Sequence, residues 1–360
     1  MLKNNVTKLL DIDYPVIQAP MAGGITTSNF VAAVSNNGAL GMIGAGYLNA
    51  DQLLQQIREV KQLTPNNFGV NLFVPNEFEI NEDKIEMVNE LLNHYYEELN
   101  IPIEKVNLPN KEKSFHSYME QIQVIIDEEV PICSFTFGIP TLDIMKNLKQ
   151  HNIFSIGTAT TVVEAVTIER LGMDAVVVQG SEAGGHRGNF ISGDEESLIG
   201  LMSLVPQVVK NISIPVIAAG GIMDGKGLIA ALCLGAKAVQ MGTAFLTCEE
   251  SGAHPVHKEA ILNSKNDETT LTRAFSGKWA RGIKNKFLME MKEYEATFPD
   301  FPVQNVLTQT IRKASSTQNN KEYMSLWCGQ NSTLARRETV EVLIKRIVEE
   351  ANRIKTTVNI

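Results

Sequence analysis

The chain has 360 residues, 44% of them hydrophobic, four cysteines and a formal net charge of −9. That is enough apolar material for one large barrel or two ordinary domains, and nothing in the composition reads as disorder. The acidic balance excludes nucleic acid and anionic membrane as principal partners, because both need a basic footprint, and no apolar run approaches the roughly 18 to 20 residues that span a bilayer.

The amino-terminal run Met1-Leu2-Lys3-Asn4-Asn5 lacks the long apolar stretch of a secretory signal. Cys133, Cys233, Cys248 and Cys328 are scattered and form no CxxC pair. The expectation is a cytoplasmic protein with reduced thiols.

In chain order, Tyr14-Pro15-Val16-Ile17-Gln18-Ala19 is a short apolar strand that ends in Pro20-Met21-Ala22-Gly23-Gly24, and Ser28–Ser35 follows with helical spacing. Ala39–Ile43 is a second strand, closed by Gly44-Ala45-Gly46, and Asp51–Leu63 repeats apolar residues at Leu53, Leu54, Ile57 and Val60. That period predicts a second β-loop-α unit. Phe68–Phe73 is the third strand, an apolar run interrupted by one amide, which makes Asn71 a candidate ligand contact.

From about 74 to 130 the pattern breaks into polar helical segments, read as an excursion over a barrel rim. Strands resume at Pro131–Phe135 and Ile153–Ile156, and again at Val176–Gln179, Ile214–Ala219 and Ala238–Met241, with helical patterns at Leu142–Lys149, Val162–Leu171, Leu198–Lys210 and Gly227–Leu234. Every connection is then a crossover, so the sheet is parallel. Eight such units predict an α/β fold of the TIM-type (β/α)8 class, with a smaller cap segment over the carboxyl-terminal face of the strands.

The predicted organisation is a barrel over residues 1–253, a cap over 254–330 and, within 331–360, a helix from Thr333 to Ile354 that docks on the barrel through Leu334, Val340, Leu343, Ile347 and Ile354. His254-Pro255-Val256-His257 suggests a metal pair, but proline divides the histidines and no cysteine or acidic cluster flanks them. No metal is expected.

The chemistry is expected where the sixth strand runs into Gly180-Ser181-Glu182-Ala183-Gly184-Gly185-His186-Arg187-Gly188. Glycines there let backbone N–H groups approach a bound molecule, and His186 stands at a strand exit among them. Gly220-Gly221-Ile222 and Gly242-Thr243 follow the last two strands, the usual place of a phosphate pocket in such barrels. Backbone N–H groups can hold a phosphate there without a lysine.

Pro15–Gly24, Gly180–Gly188, Ala218–Ile222 and Gln240–Thr243 together resemble the nitronate monooxygenase family, formerly called 2-nitropropane dioxygenases. Leu326-Trp327-Cys328-Gly329-Gln330 looks like a further feature of that family, with Cys328 where alanine is expected. Flavin-type enoyl-acyl carrier protein reductases share the His186 loop and both glycine exits but carry a different stretch around the methionine. The resemblance implies a non-covalent FMN contacted by Asn71, Gln179, Gly184, Gly221, Gln240, Met241, Gly242 and Thr243, with Met21 backing the ring and His186 as the catalytic residue. It implies small-molecule partners, a nitronate and dioxygen, converted to a carbonyl compound and nitrite without a nicotinamide. The alternatives are the reductase activity and a barrel that binds flavin or phosphate without catalysis.

Overall fold

The computed structural model describes residues 2–103 and 106–358. Its strands are β1 (Val16–Gln18), β2 (Gly41–Gly44), β3 (Phe68–Phe73), β4 (Ile132–Thr136), β5 (Phe154–Ala159), β6 (Ala175–Gln179), β7 (Gly185–His186), β8 (Val216–Ala219), β9 (Ala238–Met241), β10 (Thr269–Thr272) and β11 (Ala280–Ile283). Eight of them form one parallel sheet in the order β1-β9-β8-β6-β5-β4-β3-β2. Their apolar runs are buried on both faces, as a barrel between a packed interior and a ring of helices requires.

The remaining seam, between β1 and β2, closes through backbone and side chain together. Gln18 N–H donates to the Leu40 carbonyl at 2.9 Å and Leu40 N–H to that of Val16 at 3.0 Å. Met42 N–H donates to the Gln18 side-chain oxygen at 3.0 Å, so a fully buried amide completes the ladder. A TIM-type barrel results.

Its interior is filled by Ile17, Leu40, Met42, Ile132, Ile156, Val177 and Ile217, joined by Val6 and Leu10 of an amino-terminal helix, Asn5–Leu10, that plugs one end. Six residues are too few to show a helical period, so the sequence reading missed this plug. Its signal was Asn4, whose side chain caps the first turn while Thr7 caps Asn4 in return.

The excursion after β3 has two helices with different allegiances. Lys111–Asp127 presents Tyr118, Ile122, Ile125 and Ile126 to the layer between strands and helices. Glu82–Glu98 instead packs Val88, Leu92, Tyr95 and Tyr96 with Phe275, Phe287, Phe298 and Tyr323 in a separate apolar cluster. A second core thus joins residues from both segments that the sequence reading kept apart.

After His254 the sequence shows no alternation, yet β10 and β11 pair antiparallel there, and β11 also pairs with β7, Ala280 lying opposite His186. The predicted carboxyl-terminal helix begins later than expected, at Val340 rather than Thr333. Ser332–Leu334 is a single 3₁₀ turn with Leu334 exposed, and the Glu250 carboxylate accepts from Val340 N–H, fixing the helix start. Val340, Leu343, Ile344, Ile347 and Ala351 are buried against the barrel. Among the described residues no helix is long and apolar enough to cross a membrane.

Candidate active site

A cavity of about 560 Å³ opens at the carboxyl ends of the barrel strands. Met21, Asn71, Gln179, Gly184, His186, Gly221, Gln240, Gly242 and Thr243 all line it. Met241 does not: its side chain is buried in the layer beneath, because successive residues of β9 face opposite ways.

The walls carry neutral amides and hydroxyls. Asn71, buried on β3, donates through Nδ2 to Ser134 Oγ at 2.8 Å and Thr136 Oγ1 at 3.1 Å. Gln179 uses both ends of its amide on the following loop, donating to the His186 carbonyl at 3.0 Å and accepting from Gly188 N–H at 2.8 Å. That amide therefore orients the His186 loop.

The loop is held from outside as well. Arg187, fully buried, donates to the carbonyls of Gly180, Gln179 and Ser197 at 2.6, 2.9 and 2.6 Å. The buried Glu164 carboxylate accepts from Thr160 N–H and from the N–H groups of Phe190, Ile191 and Ser192. Both charges are spent on backbone, and the loop between them has little freedom to move.

At the glycine end, Gly220 and Gly221 adopt φ of +133° and +64°, the region a side chain resists. Among the described residues none accepts from the backbone N–H of Gly221 or Gly242, and Thr243 opens a short helix, so its N–H has no intrahelical partner either. Over this end runs the segment 327–331: Gly329 N–H donates to Thr243 Oγ1 at 3.0 Å, Gln330 N–H to the Glu182 carbonyl at 2.9 Å, and Asn331 Nδ2 to the Gly221 carbonyl at 3.0 Å. A Cβ on Gly184 would lie 2.5 Å from the Cys328 carbonyl carbon. Backbone there lies directly on backbone.

His186 stands among Phe137, Phe301 and Trp327, ring centroids 5.9, 6.1 and 5.3 Å away. Burial, with the charges of Lys278 and Arg312 adding to it, lowers its pKa to about 3. The imidazole is neutral near pH 7, whereas the residue type alone left both charge forms open. Nε2 lies 2.8 Å from Ser276 Oγ.

Sequence reasoning missed Arg312, Tyr47 and Ser276. Arg312 and Tyr47 line the cavity beside His186, and no motif marks either. Arg312 is positioned by Thr308 Oγ1 at 3.1 Å and by the Asn305 carbonyl and side-chain oxygens at 2.6 and 2.9 Å. No carboxylate pairs with it among the described residues. Of the two histidines considered for a metal, His257 holds the Trp327 carbonyl at 2.9 Å through Nε2, and His254 Nδ1 accepts from Val256 N–H. Both act within the scaffold.

The profile described as nitronate monooxygenase matches residues 3–350. Proteins described as probable nitronate monooxygenases of two Staphylococcus aureus strains, MSSA476 and MRSA252, are each 50% identical to this chain over 355 residues, covering 98% of both partners. A solved nitroalkane oxidase from Streptomyces ansochromogenes is 35% identical, superposes with a TM-score of 0.90 and covers 99% of this chain and 100% of that one. The structure of FabK from Thermotoga maritima is 30% identical with a TM-score of 0.79, covering 100% and 99%.

Proposed function

The chain belongs to the nitronate monooxygenase family of flavin-dependent oxidoreductases, and on that premise we propose that it uses FMN and dioxygen to convert alkyl nitronates, such as propionate 3-nitronate, to a carbonyl compound and nitrite. The observation that carries this reading is an unpaired cation, Arg312, beside a neutral imidazole, His186, in one cavity whose lining holds no carboxylate among the described residues.

Bound FMN supplies the acceptor for the substrate's electrons and passes them on to dioxygen. The glycine end suits a single phosphate: among the described residues the N–H groups of Gly221, Gly242 and Thr243 have no protein acceptor, and Gly184 lets the chain pass close. No second glycine-rich fingerprint is present for a dinucleotide, which favours FMN over FAD. Asn71, Gln179 and Gln240 would face the polar edge of the ring, and Met21 would pack on it.

A nitronate already carries the negative charge that a nitroalkane must lose a proton to acquire. Arg312 supplies a fixed positive partner for that charge, which a neutral His186 cannot. His186 can take a proton from a neutral nitroalkane, but its low pKa makes it a weak base. Nitronates are therefore the better substrates.

The test is oxygen uptake and nitrite release from propionate 3-nitronate without NADH or NADPH, alongside mass spectrometry of the heat-released cofactor. Rapid anaerobic bleaching by NADH with no oxygen uptake on nitronate would replace this reading with the enoyl reductase one. Recovery of FAD would remove the cofactor assignment.

A further inference from the structure

We propose that Ser276 is a positioning residue that locks His186 in one tautomer, with the proton on Nε2, and so makes Nδ1 the atom that exchanges a proton with substrate. The inference rests on the proposed role of His186 at the cavity.

Ser276 Oγ lies 3.1 Å from the Lys278 carbonyl oxygen, which can only accept. The serine's one proton is therefore committed there, while Lys278 N–H points back at Oγ from 3.4 Å. What Oγ offers His186 Nε2, 2.8 Å away, is a lone pair. Nε2 must donate, and in the neutral ring the other nitrogen then carries no proton. Nδ1 has no protein partner among the described residues and is not sealed in, and the ring borders the cavity.

Ser276 is itself fixed. It is buried in a turn between β10 and β11, where Gly277 N–H donates to the Arg273 carbonyl at 2.7 Å and Arg273 Nε donates back to the Gly277 carbonyl at 3.0 Å. Gly277 has φ of +79°, and a Cβ there would meet the Pro299 carbonyl oxygen at 2.2 Å. The turn is clamped against residues 299–301, so the acceptor cannot follow the imidazole if it rotates.

The proton step balances simply. With a nitroalkane, the C–H bond breaks, its proton goes to Nδ1, and the electron pair moves toward the nitro group to form the nitronate. With a nitronate no C–H bond has to break, and the neutral ring has no proton to abstract. The charged groups that oppose the imidazolium are Lys278 and Arg312. Phe137, Phe301 and Trp327, which complete the surround, are neutral.

Nitrogen NMR of the apoprotein, labelled at histidine and assigned with His186→Asn, reads the tautomer without any turnover. Wild type at pH 7 should show a protonated Nε2 and bare Nδ1 for His186; Ser276→Ala should mix or reverse the two signals, and Ser276→Thr, which keeps Oγ, should restore them. A protonated Nδ1 in wild type overturns the proposal, as does an unchanged pattern in Ser276→Ala. Should Ser276→Ala fail to fold, the wild-type and Ser276→Thr spectra decide alone. In the loaded enzyme, Ser276→Ala should lower nitroalkane kcat/KM by at least about tenfold, within the roughly 10⁴ that a wrong histidine tautomer can cost, and shift its pH profile, with rescue by threonine. Absence of any nitronate or nitroalkane turnover in wild type would refute the proposed function while leaving the tautomer result intact.

Discussion

At the scale of single residues the site divides its labour between one group that carries fixed charge and one that stays neutral. A charge-assisted hydrogen bond contributes about 1.5–3 kcal/mol, so Arg312→Leu should raise the KM for propionate 3-nitronate by roughly 10- to 150-fold with a smaller change in kcat. An unchanged KM in steady-state oxygen uptake would remove Arg312 from substrate binding. His186→Asn should keep its FMN, because asparagine preserves a polar contact while removing the titratable group, and should lose about 10² to 10⁴ in turnover of neutral nitroalkanes. Nitronate turnover should fall less. His186 was legible from sequence because it stands among glycines at a strand exit, whereas Arg312 and Ser276 were not. Their positions depend on a helix and a turn that reach the cavity only through tertiary packing.

At the scale of elements, the barrel strands were readable because strands buried on both faces are unbroken apolar runs between glycine exits. β10 and β11 escaped notice for the opposite reason: Thr269-Thr270-Leu271-Thr272 and Ala280-Arg281-Gly282-Ile283 are short and mixed in polarity, and their partner is a two-residue strand distant in sequence. The carboxyl-terminal helix was visible in its period but not in its start, which Glu250 sets from another part of the chain. Gly184 depends on Cys328 in a similar way, since a Cβ on Gly184 would lie 2.5 Å from the Cys328 carbonyl carbon. Gly184→Ala should push segment 327–331 off the glycine end, and the variant should purify with less bound flavin and a lower melting temperature than wild type. Full occupancy by absorbance would mean that the segment does not close the cofactor pocket.

At the scale of the whole molecule, acid should destabilise the protein through two histidines, His257 buried and His186 half-buried at the cavity wall. His186 and His257 are held at about 3 and about 4, both chiefly by burial, below the ordinary value of 6.5. The unfolded chain takes up protons between those values that the folded chain refuses. The stability this represents is complete above about pH 6.5 and is lost as pH falls, by at most about 1.4 kcal/mol per pH unit for each histidine. Urea unfolding of the apoprotein at pH 5 and 7 should show the loss, and His186→Asn should flatten it by one proton. Equal slopes in the two proteins would mean that His186 titrates normally.

The order in which the chain is made gives the strap at 327–331 a second significance. β1 is among the first segments synthesised, yet its hydrogen-bonded neighbour β9 arrives only after most of the barrel, and the residues that close over Gly221 and Thr243 come later still. A chain that stops short of Trp327 lacks this strap and also the helix from Val340, whose Leu343 and Ile347 pack in the main core, so it cannot finish the pocket. Whatever stability a bound cofactor adds by mass action therefore accrues only to completed molecules.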